Sequence, residues 1–188
     1  MLNLKIILGS TRPGRKGEPV AKWFHEIASG HDGFSAELLD LAAIGLPFLD
    51  EPQHPRLKKY EHQHTKDWSA IIDAADAIVI VTPEYNYSFP ASVKNALDFL
   101  YLEWNYKPVG FVSYGGIAAG TRSVQMLKQV TNALKMVTLA DNVNIPFIAK
   151  HVDENGKFIT DEHIDKSAKS MLDELHKWAE KLKELRVS

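Results

Sequence analysis

The sequence predicts a doubly wound α/β domain built on a five-stranded parallel sheet. Two observations lead to this prediction: apolar strand patterns alternate with amphipathic helix patterns, and residues 77–81 form an apolar run without alternation. Such a run indicates a strand covered on both faces. Strands that alternate with helices form parallel sheets through right-handed crossovers. At 188 residues the chain fits a single domain, which we predict to span residues 1–188.

The other strands and helices follow from the spacing of apolar residues along the chain. Four further runs are predicted as strands, at residues 4–8, 35–39, 109–113 and 143–148. Apolar residues at helical spacing predict helices around residues 20–28, 68–75, 93–101, 124–134 and 164–182. Pro90 is predicted at the first position of the third helix, where its missing N–H costs nothing. Residues 45–65 are expected to form a long loop or partial helix, and a loop of that length is usually functional.

Composition narrows the classes of function. A net charge of −2 does not fit a nucleic-acid-binding protein. The absence of cysteine excludes disulfides, thiolate metal sites and a cysteine nucleophile. The N-terminal apolar stretch has no basic region before it, and no apolar run approaches the roughly 18 residues of a membrane span. We therefore expect a cytoplasmic protein that binds neither nucleic acid nor membrane.

The loop after the first strand has the composition of a phosphate site. Residues 9–18 combine glycines, two hydroxyl groups and three cationic side chains, directly before a predicted helix N-terminus. The loop lacks the Lys-Ser/Thr pair of a Walker A motif and the G-x-G-x-x-G spacing of dinucleotide sites. These features favour a single terminal phosphate. The alternative is an exposed basic turn.

Two further loops lie at the same predicted edge, because strand-to-helix loops of a parallel sheet share its carboxyl end. Residues 82–90 display two tyrosines and a phenylalanine between prolines, a surface suited to a flat heteroaromatic ligand. Residues 113–120 contain paired glycines that let the backbone approach a ligand edge. The alternative for residues 82–90 is that their aromatic side chains close the end of the core. The alternative for residues 113–120 is an ordinary glycine turn before a helix. The three loops together indicate a ligand with a phosphate and a flat ring.

These motifs resemble the NADPH-dependent FMN reductase family of flavodoxin-like quinone, azo-dye and metal-oxyanion reductases. The resemblance covers about residues 4–150 and implies a flavodoxin-like three-layer sandwich with strand order 2-1-3-4-5. The stretch of residues 83–86 followed by residues 94–98 is its most specific part. The resemblance depends on these residues: Gly9, Ser10, Thr11, Arg12, Thr82, Pro83, Glu84, Tyr85, Asn86, Pro90, Lys94, Asn95, Ala96, Leu97, Asp98, Ser113, Tyr114, Gly115 and Gly116.

The resemblance implies FMN as the cofactor and divides its contacts into three groups. The phosphate would be held by Ser10 and Arg12 and by the backbone around Lys16, Gly17 and Glu18. The ring system would be lined by four residues: Pro83, Glu84, Tyr85 and Asn86. Its pyrimidine side would meet four others: Ser113, Tyr114, Gly115 and Gly116.

The implied activity is two-electron transfer from NADPH or NADH through FMN to a small acceptor: a quinone, azo compound, metal oxyanion or flavin. The mechanism would be ping-pong and would need no catalytic side chain. Arg15, Lys16 and Arg122 are candidates to contact the extra phosphate of NADPH. A homodimer or homotetramer is implied, with exposed-looking side chains after the second loop at the contact: Phe99, Tyr101, Leu102 and Trp104. The alternative for Trp104 is an ordinary core residue.

Three other interpretations remain at this stage. A flavodoxin-type electron carrier without its own NAD(P)H oxidation would normally present a strongly acidic face, which the balanced charge does not supply. A binding module that has lost the flavin is the second. The third is a metal site at His62 and His64 with His54 nearby. Since cysteine is absent and lysines are interleaved, a solvated loop is the favoured interpretation of these histidines, and no metal is expected.

Overall fold

A parallel sheet of six strands forms the centre of the computed structural model, which describes residues 1–186. The strands are β1 (Leu2–Leu8), β2 (Phe34–Asp40), β3 (Ala77–Pro83), β4 (Pro108–Tyr114), β5 (Val137–Thr138) and β6 (Val143–Ile145). Their order is β2-β1-β3-β4-β5, and β6 also pairs with β4. The predicted parallel sheet and its 2-1-3-4-5 order are confirmed. The last two residues of the predicted domain, Val187 and Ser188, lie outside the described residues.

The edge next to β4 differs from the prediction of one fifth strand. β5 pairs with the start of β4 and β6 with its end, so two short strands share one position in the sheet. Residues 139–142 separate them, and two of these are Asp141 and Asn142, residue types that strands disfavour. The strand expected at residues 143–148 is therefore β6, which ends at Ile145.

Helices cover both faces of the sheet. They are α1 (Gly17–Ser29), α2 (Leu41–Ile44), α3 (Gln63–Asp73), α4 (Ala91–Asp98), α5 (Thr121–Ala133) and α6 (Glu162–Arg186). Alternate residues of β1 point to opposite faces: Ile6 packs with α1 and α6, and Ile7 with α3, α4 and α5. Of the helices within residues 1–186, none has the length and apolar character needed to cross a membrane.

The helix after the second loop is shorter than expected. Pro90 is its N-cap instead of its first helical residue, and α4 ends at Asp98. Phe99 and Trp104 are both 0% exposed, so the predicted exposure of Phe99 was wrong and Trp104 is a core residue, as its alternative interpretation had it. The chain leaves the helix with Phe99 entering the core, and the Trp104 Nε1–H donates to the Leu97 carbonyl at 3.1 Å.

The long segment of residues 45–65 is mostly irregular and is tied to the core by Glu103. This carboxylate is 1% exposed. It accepts hydrogen bonds from Tyr60 Oη at 2.9 Å and Ser69 Oγ at 2.6 Å, and Lys58 Nζ lies 3.5 Å away. Burial and the hydrogen bond to Glu103 raise the pKa of Tyr60. A buried carboxylate that is fully partnered orders a segment which has little regular structure of its own.

Lys107, at the start of β4, is a buried cation at 2% exposure. Its ammonium donates to the Ile72 carbonyl and, at 3.0 Å, to the Asp73 carbonyl at the end of α3. The C-terminus of a helix favours a positive charge. Burial nevertheless dominates and lowers the pKa of Lys107 to about 8.

We predict that the protein gains stability relative to a Lys107→Met variant as pH rises from 8 to 9.5. The folded protein releases this proton near pH 8, whereas the unfolded chain holds it until about pH 10.5. The unfolded state therefore binds more protons in this window, and stability rises with pH, here by about 1.5 kcal/mol. Urea unfolding of both proteins at several pH values measures the difference.

Lys22→Met, at an exposed position of α1, serves as the control for this comparison. It should show no such pH dependence relative to the parent. A difference between parent and Lys107→Met that stays flat or falls across the window would contradict the prediction.

Candidate functional site

Three loops meet at the carboxyl edge of the sheet. Loop 1 (residues 9–16) follows β1, loop 2 (residues 84–90) follows β3 and loop 3 (residues 115–120) follows β4. Ser10 Oγ of loop 1 lies 2.8 Å from Tyr85 Oη of loop 2. Ser92 Oγ, in the first turn of α4, donates to the Gly9 carbonyl at 2.5 Å. The fold therefore brings together loops that are about 70 residues apart in the chain.

Loop 1 presents unpaired donors at the start of α1. Lys16 is the N-cap residue of α1 and provides no side-chain cap. Within residues 1–186, the backbone N–H groups of Thr11, Gly14 and Lys16 donate to no acceptor. The side chain of Arg12 is exposed and forms no ion pair in the same part of the chain. Free N–H groups, a helix N-terminus and a free guanidinium are the donor set that a phosphate dianion requires, so the residues present fit FMN.

Arg15, by contrast, is a structural cation. Its Nη1 donates to the Ser10 carbonyl at 2.7 Å, and its Nη2 pairs with Asp40 at the end of β2 and lies 3.9 Å from Glu18. This arrangement ties loop 1 to β2. Of the cations considered for the extra phosphate of NADPH, Lys16 is the one that stays exposed without an ion pair among residues 1–186.

Below loop 1 lies a buried hydroxyl cluster of Ser10, Tyr85 and Tyr114. Ser10 is 0% and Tyr114 4% exposed, and burial raises the pKa of Tyr114. A Cβ atom on Gly17 would lie 2.3 Å from Tyr114 Oη, so only glycine allows α1 to begin against this tyrosine. Ser10 and Tyr114, which the resemblance implies as FMN contacts, also support the loop from inside the protein. Sequence reasoning did not find the link from Ser10 to Tyr85, since it joins residues on separate loops.

Loop 2 contains a tight turn with unusual backbone geometry. Tyr85 and Ser88 exchange two backbone hydrogen bonds of 2.8 and 3.0 Å. Between them Asn86 and Tyr87 have φ values of +49° and +70°, as in a type I′ turn, which normally carries Asn-Gly. Within residues 1–186, the N–H groups of Asn86 and Tyr87 have no hydrogen-bond acceptor. Pro83, just before the loop, is buried at the end of β3.

Glu84 is held by a partner that the sequence did not reveal. Its side chain is 9% exposed, and its Oε1 lies 2.5 Å from Nη2 of Arg122, the second residue of α5. The same guanidinium covers the ring of Tyr87, with 3.9 Å between Cζ and the ring centroid. Glu84 is therefore a structural carboxylate that joins loop 2 to α5.

Loop 3 provides an open backbone edge. Ser113 Oγ is buried 2.8 Å from the Ala119 carbonyl, and the carbonyls of Gly115 and Gly116 each accept an N–H bond of 3.0 Å from residues 148 and 147. No heavy atom lies within 4 Å of a Cβ built on Gly116. A ligand edge therefore has free access to the backbone at Gly116, while Gly115 lies closer to the core.

A cleft of about 590 Å³ opens beside loop 1 and was not foreseen from the sequence. Its walls include Thr11, Leu46, Phe48 and Ser92. Asn95 fixes the outer wall: its Nδ2 donates to the Pro47 carbonyl at 2.7 Å, and its Oδ1 accepts from Leu49 N–H at 3.0 Å. The start of the 45–65 segment thus borders the site.

The histidines of that segment form a small cluster of their own. The rings of His62 and His64 stack with centroids 5.2 Å apart, and His64 Nε2 lies 3.0 Å from Asp50 Oδ1. In the part of the chain that the structure describes, no three His, Asp or Glu side chains are grouped as a metal site would require.

Comparison with known proteins identifies the family. The model of the NADPH-dependent FMN reductase family matches residues 2–150. The chain belongs to this family. An NAD(P)H-dependent FMN reductase of Schizosaccharomyces pombe is 44% identical over 133 residues, which are 70% of this chain and 66% of that protein. An FMN-dependent NADPH-azoreductase of Staphylococcus aureus is 30% identical over 131 residues, 69% of each chain. The chain thus spans about two thirds of each relative.

The fold comparison agrees with the family assignment. The flavoenzyme FerB of Paracoccus denitrificans superposes with a TM-score of 0.75 over 96% of this chain and 98% of that one, at 23% identity. The predictions of a flavodoxin-like fold, of membership in an NAD(P)H-dependent FMN oxidoreductase family, and of FMN with NADPH or NADH as cofactors are confirmed.

We predict that Gly17→Ala weakens FMN binding by about tenfold or more, an energy of about 1.4 kcal/mol. The added Cβ would lie 2.3 Å from Tyr114 Oη, so the start of α1 and its N–H groups must shift. Quenching of FMN fluorescence by the apoprotein measures the affinity. Gly30→Ala is the control, since its Cβ would meet its nearest atom at an ordinary 3.5 Å. Equal affinities of the two variants would show that Gly17 does not shape the site.

Proposed function

We propose that this chain binds FMN with the phosphate in loop 1 and the ring system between loops 2 and 3. The observation that carries the proposal is the set of unpaired backbone donors at the uncapped N-terminus of α1, beside the free guanidinium of Arg12. The residues that we propose for the phosphate are Ser10, Arg12, Lys16, Gly17 and Glu18. Those that we propose for the ring system are Pro83, Glu84, Tyr85, Asn86, Ser113, Tyr114, Gly115 and Gly116.

The chain's own residues bind and orient the reactants, and none of them needs to move a proton. When bound, FMN supplies the chemistry by which two electrons pass from NAD(P)H to an acceptor. The N–H groups of Asn86 and Tyr87 are suited to the polar edge of the ring, and Gly116 leaves the approach to it open. Since donor and acceptor would use the same opening, we propose that they bind in turn, in ping-pong order.

The rim of the site favours a planar aromatic acceptor over a metal oxyanion. Tyr87 is 68%, Ile117 82% and Phe147 46% exposed. Phe147 lies beside loop 3, because its N–H donates to the Gly116 carbonyl at 3.0 Å. Apolar and aromatic side chains stabilise flat rings by stacking, whereas they provide no hydrogen bonds to an oxyanion. We therefore propose a quinone, azo compound or flavin as the acceptor class.

We also propose that the protein is a homodimer or homotetramer. Large apolar side chains are exposed on the 45–65 segment and just after α4, among them Phe48 at 85%, Leu57 at 53% and Leu102 at 42%. The two regions adjoin, since Arg56 Nη2 donates to Tyr101 Oη at 3.1 Å. Apolar exposure of this kind marks interaction surfaces.

We predict that light scattering gives the mass of two or four chains. A monomer at micromolar concentration would contradict the proposal.

The decisive test of the function is NADPH oxidation by the purified holoprotein with a quinone and no second protein. We expect steady turnover, because the site is open to both reactants. Arg12→Ala should weaken FMN binding by about tenfold to a hundredfold, since a charge-assisted hydrogen bond to phosphate is worth about 1.5–3 kcal/mol. Lys169→Ala, an exposed charge on α6, is the control and should bind FMN like the parent.

The outcomes separate the alternatives. A holoprotein that oxidises neither NADPH nor NADH without a partner reductase would be a flavodoxin-type carrier. A protein that leaves FMN fluorescence unquenched would be a binding module without flavin. Unchanged FMN affinity in Arg12→Ala would show that the phosphate does not bind in loop 1.

A further inference from the structure

One guanidinium group holds the turn of loop 2 from two sides. Arg122 projects from the first turn of α5. Its Nη2 lies 2.5 Å from Glu84 Oε1, just before the turn, and its Cζ lies 3.9 Å from the ring centroid of Tyr87, at the tip. The ion pair raises the pKa of Arg122 above its ordinary value, so this side chain is always charged.

The turn has a conformation that needs such external support. Asn86 and Tyr87 both lie in the left-handed region, at φ +49° and +70°, and neither is glycine. Such residues are strained, and strained geometry persists only where neighbouring structure determines it. The two backbone hydrogen bonds between Tyr85 and Ser88 close the turn but do not attach it to the sheet. The attachment comes from Arg122, and from Tyr85 through Ser10.

Arg122 is also the partner that pairs with the side chain of Glu84. The Glu84 side chain is 9% exposed, and the ion pair uses its Oε1. The other oxygen, Oε2, is buried without a hydrogen bond to any of residues 1–186. Without Arg122 the carboxylate would be buried and unpaired, which is strongly unfavourable. It would have to turn toward water, and the residues that follow it would move with it.

We propose that Arg122 is a positioning residue for the ring of FMN, acting through Glu84 and Tyr87. It keeps the loop 2 turn in the conformation that leaves the N–H groups of Asn86 and Tyr87 unpaired and available to the ring. The inference rests on the proposed FMN site and adds to it a residue of α5, outside the motifs of the three loops.

The test compares the binding of FMN with that of riboflavin, which lacks the phosphate. Arg122→Met should raise the Kd of both by about tenfold, and their ratio should stay that of the parent. Arg12→Ala should raise the Kd of FMN alone. Arg122→Lys should fall between parent and Arg122→Met, because lysine keeps the charge but lacks the planar group that covers Tyr87.

Two controls separate positioning from general destabilisation. Lys128→Met removes one charge from the same helix, six residues further along, and should leave both Kd values unchanged. Thermal unfolding of the apoproteins checks that Arg122→Met is folded, and if it is not, the same comparison with Arg122→Lys decides the question.

A double variant tests the role of Glu84. Glu84→Gln/Arg122→Met should bind FMN no more weakly than Arg122→Met, because it no longer buries an unpaired carboxylate.

Each contrary result overturns the inference in a different way. Kd values of Arg122→Met within twofold of the parent would show that Arg122 does not position the turn. Loss of FMN affinity with riboflavin unchanged would make Arg122 a phosphate contact. A double variant Glu84→Gln/Arg122→Met that binds FMN more weakly than Arg122→Met would show that Glu84 has no role in the positioning. A parent protein that binds no FMN would overturn the proposed function itself, and this inference with it.

Discussion

The carboxyl edge of the sheet has no room for a Cβ atom at Gly9 or at Gly17, and the candidate site depends on that constraint. A Cβ on Gly9 would lie 2.4 Å from Val93 Cγ2 of α4, and one on Gly17 would lie 2.3 Å from Tyr114 Oη. Because these two residues are glycine, loop 1 lies against α4 and α1 begins against the hydroxyl cluster. The free N–H groups of loop 1 are thereby placed beside loop 2, within reach of one ligand.

Buried charges with partners order the irregular parts of the molecule. Glu103 anchors the 45–65 segment, Arg15 joins loop 1 to β2, and Glu84 with Arg122 joins loop 2 to α5. In each case a charge lies at a place where regular hydrogen bonding of the backbone ends. Such pairs add little net stability, but they disfavour alternative loop conformations, because a separated partner would be left buried and unpaired. Rigid loops favour cofactor binding, since less conformational freedom is lost.

The patterns that predicted the fold are those with a local physical cause. The unalternating run of β3 and the helical spacing of α5 and α6 follow from which faces are buried, and they were predicted correctly. Errors arose where packing overrides local pattern. Phe99 was expected to be exposed, whereas the helix stops at Asp98 and the chain turns this ring into the core. The fifth strand divides into β5 and β6 because Asp141 and Asn142, residue types that strands disfavour, lie between them.

By itself the sequence determined the parallel sheet, the three loops at its carboxyl edge and the family, since each depends on residue types at fixed spacing along the chain. Only the tertiary structure decided which side chains of those loops face a ligand and which support them. Arg15 and Arg12 are similar in the sequence, yet Arg15 pairs with Asp40, whereas Arg12 forms no ion pair with any of residues 1–186. The pairing of Glu84 with Arg122 joins residues 38 positions apart, on the loop after one strand and the helix after the next. Contacts of this kind depend on distances in space, which spacing in the sequence does not encode.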